Sequence, residues 1–245
     1  MVSVSVDPAH GGRWTSLVSG GREWLWSRPS PARFAVAPGD TFVDVGGVEE
    51  CLPTVRGVPD HGDVWSRPWT ALPGEARVSA PDFALRRTIR TDGDAVHVGY
   101  TLRAAPGFRF VWAAHALLDV SASARLAAPA GTPTLVDGAG VVAWPAGGLD
   151  RLGPDDGTAV GAVLRDCPAV TVDDGERLSF TLHAPDQPVS VALWRNLGGW
   201  PEGDPYRSIG VEPMLGRVFD LAEAGPGDAA VVFGSGVARW MLTIS

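Results

Sequence analysis

Short runs of alternating apolar and polar residues, broken by glycine and proline, most limit how this chain can fold. In residues 95–104, Val96, Val98 and Tyr100 alternate with smaller or polar neighbours, a period of two typical of half-buried strands. No stretch has the period of a long amphipathic helix, and residues 220–225 predict one helical turn. Runs of this kind predict strands at 32–37, 83–91, 95–104, 132–137, 159–166, 169–174, 177–184, 189–196, 228–236 and 238–245.

The turn signals fit between these runs. "TDGD" at 91–94 and "VDDGERL" at 172–178 each predict a hairpin connection. The chain therefore reads as all-β with roughly fifteen or more short strands, which is too many for one small sandwich. We expect a large antiparallel β-sandwich of two sheets packed face to face. No linker or repeat divides the chain, so residues 1–245 are interpreted as one domain.

Composition and charge exclude several classes of function. With 45% hydrophobic and 20% charged residues, the chain has a globular composition. Its net charge is −8 and it has no basic block, so we expect no nucleic-acid partner. All 20 basic residues are arginine, which excludes Schiff-base lysine chemistry and the lysine-dependent phosphate loop.

The cysteines and the chain start indicate a cytoplasmic protein. Cys51 and Cys167 are too few for a disulfide framework and are expected to be buried thiols. The start "MVSVSVDPAHGGRW" has no basic segment followed by an apolar one, so no signal peptide is expected. No apolar run reaches the roughly 18 residues that span a bilayer, so we expect no membrane partner. The oligomeric state is left open.

A single acid, Glu212, lies within the apolar run "SIGVEPMLG" at 208–216. Pro213 holds Glu212 extended and removes a ladder donor, which predicts that the strand lies at an edge, is bulged, or ends there. A glycine two positions earlier leaves room for an approach to the backbone. Such an acid is either functional or pairs with one of the arginines nearby in sequence, Arg195, Arg207 and Arg217.

Two histidines have surroundings that suggest chemistry. His61 lies in the turn-like segment "PDHGDVW", where a loop histidine bonded to the backbone is the alternative. His115 lies inside the apolar strand "VWAAHALLDV", where it must find hydrogen-bond partners, so a satisfied core histidine is the alternative.

Tryptophan is abundant, with ten in the chain. Its flat apolar face and single N–H donor suit sugar rings, although core packing explains any single one as well. Five lie close to the stretches already named: Trp65, Trp69, Trp112, Trp194 and Trp200.

Taken in order, "PDHGDVW", "FVWAAHALLDV" and "GVEPMLG" resemble the galactose mutarotase-like superfamily, which contains the aldose 1-epimerases. The resemblance runs from about residue 46 to 220 and implies a large antiparallel β-sandwich with a concave sugar site. It implies that Glu212 is the base that takes the proton from the C1 hydroxyl, and that His115 is the acid that protonates the ring oxygen. It places His61 near that oxygen. No cofactor and no metal are implied.

The substrate implied is a monosaccharide or a sugar phosphate. The residues expected to contact it are Trp65, Arg86, Trp112, Arg195 and Trp200. Arg86, Arg195 and Arg207 could hold a phosphate or sugar hydroxyls.

The chain departs from the family pattern in two places. "HALLDV" replaces the aromatic residue and asparagine after the second histidine, and "GGVEECLPTV" stands where an arginine–asparagine motif is expected. The family's sugar-orienting acid is open among Asp63, Asp119 and Asp204. Two alternatives follow: a carbohydrate-binding protein without turnover on the same fold, and a metal-dependent enzyme using His61, Asp63, His115 and Glu212.

Overall fold

Twenty strands make up most of the computed structural model, which describes residues 2–145 and 147–245. They are β1 Ser3–Asp7, β2 Arg13–Ser19, β3 Arg22–Glu23, β4 Gly47–Cys51, β5 Thr70–Leu72, β6 Glu75–Ser79, β7 Phe83–Asp92, β8 Ala95–Ala104, β9 Arg109–Phe110, β10 Trp112–Leu118, β11 Arg125–Ala127, β12 Pro133–Val136, β13 Gly140–Ala143, β14 Ala159–Leu164, β15 Ala169–Asp174, β16 Glu176–His183, β17 Val189–Trp200, β18 Tyr206–Leu215, β19 Ala230–Val231 and β20 Val237–Ile244. Two 3-10 helices cover Pro31–Ala35 and Leu221–Glu223.

Two large antiparallel sheets form the body of the molecule, as the alternating runs predict. The first has ten strands in the order β1-β2-β4-β10-β18-β17-β14-β12-β13, with β3 beside β2. The second has eight strands in the order β11-β15-β16-β20-β8-β7-β6-β5, and β9 pairs with β19 apart from both. Both predicted hairpins form: β7 turns into β8 after Asp92, and β15 turns into β16 around Gly175.

The main core lies between the two sheets and contains one polar centre. Leucine, valine and aromatic side chains from both sheets form a single buried cluster. Within it, Glu50 of β4 accepts hydrogen bonds from Arg87 Nη1 and Tyr100 OH, each at 2.9 Å, and from Trp112 Nε1 at 2.7 Å. Because Arg87 and Tyr100 belong to β7 and β8, this carboxylate links one sheet to the other.

The opposite face of the ten-stranded sheet has its own smaller buried cluster. It includes Cys51, Ala113, Ala192 and Met214, which lie on neighbouring strands at the centre of the sheet. Side chains alternate between the two faces of a strand, so this face also carries the odd-numbered side chains of β10 and the even-numbered ones of β18. His115 and Glu212 therefore belong to the face that turns away from the eight-stranded sheet.

Residues 32–37 were expected to form a strand, and this prediction is wrong. Pro31–Ala35 is a 3-10 helix, with proline in its first turn where a fixed φ and a missing N–H are tolerated. Arg33 is buried there, and its Nη2 lies 3.1 Å from Glu49 Oε1. The apolar alternation of this segment is therefore overridden by the proline and by a buried ion pair.

One strand expectation and one helical-turn expectation differ from the structure only in extent. Of residues 228–236, only Ala230–Val231 is a strand, and Gly236 follows with a φ of +69°. The turn expected at 220–225 is the 3-10 helix Leu221–Glu223, capped by Asp220.

Both predicted thiols, Cys51 and Cys167, are free and buried. In the part of the chain that the structure describes, no helix combines the length and apolarity needed to cross a membrane.

Pro213 suggested that the strand of Glu212 lies at a sheet edge, but in the structure this strand is not an edge strand. β18 lies between β10 and β17 and continues through the proline to Leu215. Its ladder to β17 is unbroken from Val189 to Leu197, whereas the ladder to β10 stops after Met214 and resumes at Gly210. The donor missing from proline thus opens the sheet locally on the β10 side.

Candidate active site

The gap between β10 and β18 brings His115 and Glu212 together. Trp112 pairs with Leu215 before the gap and Leu118 pairs with Ile209 after it, so the register is constant and places His115 opposite Glu212. His115 Nε2 lies 3.6 Å from Glu212 Oε1. Both side chains are buried, with exposures of 6% and 1%. The sheet register alone therefore juxtaposes an imidazole and a carboxylate.

The arginines that were the rival partners of Glu212 are occupied elsewhere. Arg195 Nη2 lies 3.7 Å from Asp156, Arg207 Nη1 lies 3.1 Å from Asp155, and Arg217 Nη2 lies 2.6 Å from Asp166. Glu212 instead has the imidazole of His115 as its neighbour. The structure thus contradicts the interpretation of Glu212 as an acid paired with one of these arginines.

A second acid beside His115 is neutralised. Glu49 of β4 pairs with His115 across the sheet, on the side opposite to Glu212. Arg33 Nη2 lies 3.1 Å from both oxygens of Glu49, and Arg13 Nε lies 3.8 Å from one of them. Between its two acidic neighbours, His115 therefore has Glu212 as the carboxylate that no arginine binds.

Two atoms of the pair lack hydrogen-bond partners among the described residues. They are Glu212 Oε2 and His115 Nδ1, both fully buried. Buried polar atoms in native proteins are nearly always bonded, to protein or to another molecule. Both residues line a cavity, although these two atoms are themselves covered by protein.

His61 comes from the loop after β4 and faces the same pair. Its ring lies 5.1 Å from that of His115 and stacks on Phe42 at 3.8 Å. Its Nδ1 lies 2.8 Å from Asp60 Oδ1, and its backbone has a φ of +57°, uncommon for a residue with a side chain. Burial lowers the pKa of His61 below its usual 6.5, and the neighbouring charge of His115 acts in the same direction, against the raising effect of Asp60.

The three residues open into a cavity of about 600 Å³, a usual size for a small-molecule site. Its walls combine carboxylates and aromatic rings, with one ion pair, Arg56 Nη1 to Asp137 Oδ2 at 2.8 Å, at its side. The lining residues that matter below are Phe42, Asp44, Arg56, Asp60, Asp137, Trp194 and Trp200.

The predicted sugar-contacting residues divide into one that lines the cavity and four that do not. Trp200 lines it. Trp65 lies behind Phe42, at 5.0 Å edge to face, and its Nε1 donates to the Asp60 carbonyl. Trp112 points to the other face of its sheet and bonds Glu50 in the core.

The two arginines among these predictions also lie elsewhere. Arg86 is on β7 of the other sheet and pairs with Glu75. Arg195 is next to Trp194 on β17, so its side chain takes the opposite face, where Nε donates to the Arg151 carbonyl. Trp112 and Arg195 lie outside the cavity because strand alternation turns their side chains to the other face of the sheet. Arg86 lies outside it because its strand belongs to the second sheet.

The acids expected to orient a sugar also lie outside the cavity lining. Asp63 lies 3.5 Å from Arg67, and Asp204 has an 84% exposed side chain beside Arg28. The backbone of Asp119 accepts from Arg22. The acids that do line the cavity beside Glu212 are Asp44, Asp60 and Asp137.

The sequence interpretation missed several cavity residues, of which only one had a local signal. Asp60 directly precedes His61, and a carboxylate next to a histidine could have been recognised as its orienting partner. Phe42 and Asp44 come from a segment without strand alternation, and Trp194 was noted only as one of many tryptophans. Across residues 2–145 and 147–245, no group of three His, Cys, Asp or Glu side chains is placed to hold a metal ion.

Comparisons with known proteins give structural but not sequence relatives. No protein-family model matches the chain, and no curated protein sequence matches it. Among solved structures, a protein of Synechocystis sp. PCC 6803 has a TM-score of 0.74 at 16% identity, with 100% of this chain and 92% of that chain covered.

Two other solved structures have descriptions that concern sugars. A proposed aldose 1-epimerase of Escherichia coli K12 has a TM-score of 0.71 at 13% identity, covering 99% of this chain and 94% of that one. A galactose mutarotase-like protein of Lactobacillus casei has a TM-score of 0.61 at 16% identity, covering 100% and 96%. At such identities the likeness concerns the fold, and this chain has the galactose mutarotase-like β-sandwich fold.

Proposed function

We propose that this protein is an aldose 1-epimerase, which interconverts the α and β anomers of an aldose. The observation that carries the proposal is the pair of His115 and Glu212, which lie 3.6 Å apart and line the same cavity. Opening a hemiacetal ring requires one proton to be removed and another to be supplied at the same time. A carboxylate and an imidazole side by side can supply both functions.

In the proposed reaction, Glu212 takes the proton of the C1 hydroxyl while protonated His115 donates its proton to the ring oxygen. The bond between C1 and the ring oxygen breaks, and its electron pair stays on that oxygen. C1 becomes an aldehyde carbon and rotates about its bond to C2. The former ring hydroxyl then attacks the other face of C1, His115 takes back its proton, and Glu212 returns the other. Atoms and charge balance without a cofactor.

His61 is assigned a positioning role next to the reacting atoms. If the Nδ1 proton is donated to Asp60, which lies 2.8 Å away, Nε2 of the neutral ring carries a lone pair. The lowered pKa of His61 favours this neutral form. We therefore expect Nε2 to accept a hydrogen bond from a sugar hydroxyl close to the ring oxygen, while Phe42 fixes the plane of the imidazole from behind.

A free aldose fits the proposal better than a sugar phosphate. Of the three arginines considered for phosphate, Arg86, Arg195 and Arg207, none is among the residues lining the cavity. Arg56 does line it, but Asp137 lies 2.8 Å from its Nη1 and offsets its charge. A phosphate dianion would meet Asp44, Asp60 and Glu212 in the same cavity.

The test is the rate at which fresh α-glucose or α-galactose equilibrates, followed by polarimetry or NMR. The wild-type protein should accelerate equilibration, and Glu212→Gln should lose this acceleration by at least about a hundredfold, in the usual range for a general base. Binding of the sugar should persist in the variant. Binding by the wild type without any acceleration would instead support the alternative of a non-catalytic carbohydrate-binding protein.

A further inference from the structure

A strip of aromatic rings continues outwards from the cavity along the hairpin of β17 and β18. Trp194 lies edge to face with Trp200, at 6.0 Å between ring centroids, and Trp200 lies 6.1 Å from Tyr206. Tyr206 stacks on Trp26 at 5.4 Å with the planes 5° apart. Only the first two rings line the cavity, so the strip reaches beyond the space around Glu212.

The backbone that carries the exposed ring of this strip is held in place by a buried side chain. Trp200 is 47% exposed, an unusual state for a tryptophan. Its position is set by Asn196, which is 0% exposed and is the only asparagine of the chain. Asn196 Nδ2 donates to the carbonyls of Trp200 and Tyr206 at 2.8 and 2.7 Å, and its Oδ1 accepts from the Gly199 and Trp200 amides. The turn that presents the ring is thus ordered before any ligand arrives.

Polar groups border the strip on the side of Tyr206. The Tyr206 hydroxyl donates to Asp44 Oδ2 at 2.6 Å, and Asp44 itself lines the cavity. The Arg28 guanidinium lies 4.4 Å from the centre of the Tyr206 ring, and its Nη2 lies 3.6 Å from Asp204. The planes of Trp200 and Tyr206 are 64° apart, so the exposed Trp200 ring offers one flat apolar face with donors and acceptors beside it. Such a face suits a ring that has an apolar side and hydroxyls at its edge.

The cavity also offers more space than one sugar ring needs. A hexose has about 12 non-hydrogen atoms, and even at the roughly 30 Å³ that a water molecule occupies in the liquid it would take less than about 360 Å³. The cavity measures about 600 Å³. Trp194 and Trp200, where the strip begins, are part of its lining.

We propose that the strip of Trp200, Tyr206 and Trp26 is a second sugar subsite, and that the substrate class is a reducing oligosaccharide of two or more rings. This rests on the proposed function: the reducing-end ring binds against His115 and Glu212, and the ring attached to it stacks on Trp200, with Tyr206 at its edge. Asp44 and Arg28 meet the hydroxyls of this second ring.

The test compares glucose with the reducing disaccharides maltose and cellobiose. We expect a lower KM for at least one disaccharide than for glucose in the wild type. In Trp200→Ala, the KM of that disaccharide should rise about tenfold more than the KM of glucose, because the stacking surface of its second ring is lost. Phe233→Ala, which removes another exposed aromatic ring that does not line the cavity, should change neither KM.

Two results would overturn the subsite. One is an equal KM for glucose and both disaccharides in the wild type. The other is an equal rise in the KM of glucose and of the disaccharide in Trp200→Ala, which would mean that Trp200 contacts the first ring. Calorimetric titration of the Glu212→Gln variant with the same sugars measures binding without turnover. If no sugar is turned over, the proposed function fails, but tighter disaccharide binding that Trp200→Ala weakens would still establish the subsite.

Discussion

Gly210 shows how closely the environment of Glu212 is determined. It lies on the same face of β18, and a Cβ built on it would come within 2.6 Å of Glu212 Oε1 and 3.1 Å of Trp194 Cβ. Distances below 3.0 Å are not seen for real Cβ atoms, so one of the groups would have to move. The absence of a side chain here is what lets the carboxylate fold back over its own strand towards the cavity.

Gly210→Ala should therefore lower turnover more than stability. Displacing the carboxylate by a fraction of an ångström separates it from His115, and misplacement on the scale of 1 Å can reduce rates about a hundredfold. We expect a fall of about tenfold to a hundredfold in the rate of anomer interconversion. Gly234→Ala, whose Cβ would meet nothing within 4 Å, is the matched control. Unchanged turnover in Gly210→Ala would show that Glu212 needs no such space.

The lowered pKa of His61 predicts a pH dependence of stability. In the unfolded chain histidine titrates near 6.5, and burial makes the folded protein bind this proton less readily. Stability from the neutral ring is therefore complete above about pH 6.5 and is lost as the pH falls through the lower folded pKa. Urea unfolding between about pH 7.5 and 5 should show a decrease that is smaller in His61→Gln.

An NMR titration of the His61 ring provides the direct check. Its midpoint should lie below 6.5, and Asp60→Asn should lower it further, because Asp60 is the neighbour that raises this pKa. A midpoint at or above 6.5 in the wild type would contradict the prediction.

At this scale the sequence singled out three residues that meet at one cavity, but few of the residues around them. Glu212, His115 and His61 each lie in a short motif, and all three line one cavity. Phe42 and Trp194 carry no motif: Phe42 lies in a segment outside the strands, and Trp194 is placed by the alternation of side chains along β17. The same alternation removed Trp112 and Arg195 from the cavity.

At the level of elements, the most instructive case is the strand that contains Pro213. Proline usually marks an edge strand, yet β18 is central and pairs with β17 along its length. The ladder is interrupted only towards β10, at the place where His115 faces Glu212. Sequence alone cannot show which neighbour loses the hydrogen bond, and therefore it suggested an edge where the structure has a local opening.

The hairpin of β17 and β18 depends on Asn196, and its loss should be measurable. Asn196→Ala would leave the amides of Gly199 and Trp200 without their acceptor and two carbonyls without their donor. A buried group left unsatisfied costs about 1–3 kcal/mol. We expect a loss of about 2–4 kcal/mol in the free energy of unfolding, measured in urea, since the turn lies at the surface and water replaces some of these bonds. A loss below about 0.5 kcal/mol, which is usual for surface substitutions, would show that the turn is stable without the hydrogen bonds of Asn196.

For the whole molecule, the strand count and turn signals were sufficient to predict the class of fold, because period-two runs and hairpin turns are local properties. The order of strands in the two sheets was not predictable, since β4, β10 and β18 are brought side by side from distant parts of the chain. Neither was the polar centre between the sheets, because no strand was predicted at Gly47–Cys51, where alternation puts its two adjacent acids on opposite faces.

That polar centre should contribute strongly to the cohesion of the sheets. In Glu50→Ala, the buried Arg87 loses its carboxylate, and removal of one partner of a buried ion pair costs about 3–5 kcal/mol. The double variant Glu50→Leu with Arg87→Met removes both charges and should be clearly less destabilised than Glu50→Ala. Thermal and urea unfolding of the three proteins compare these values. Equal destabilisation of the single and double variants would mean that lost packing, and not the unpaired charge of Arg87, is responsible.

The hairpin at residues 189–215 has a consequence for how such a protein can change over evolution. Glu212 and the exposed Trp200 belong to this one stretch of chain, whereas both histidines come from outside it. The turn at 201–205 can change in length or in side chains, and this alters what lies beyond the cavity. Such changes leave the strand register that places Glu212 opposite His115 as it is. Ligand range and reaction chemistry can thus diversify separately, with the turn as the variable part and the paired strands as the inherited one.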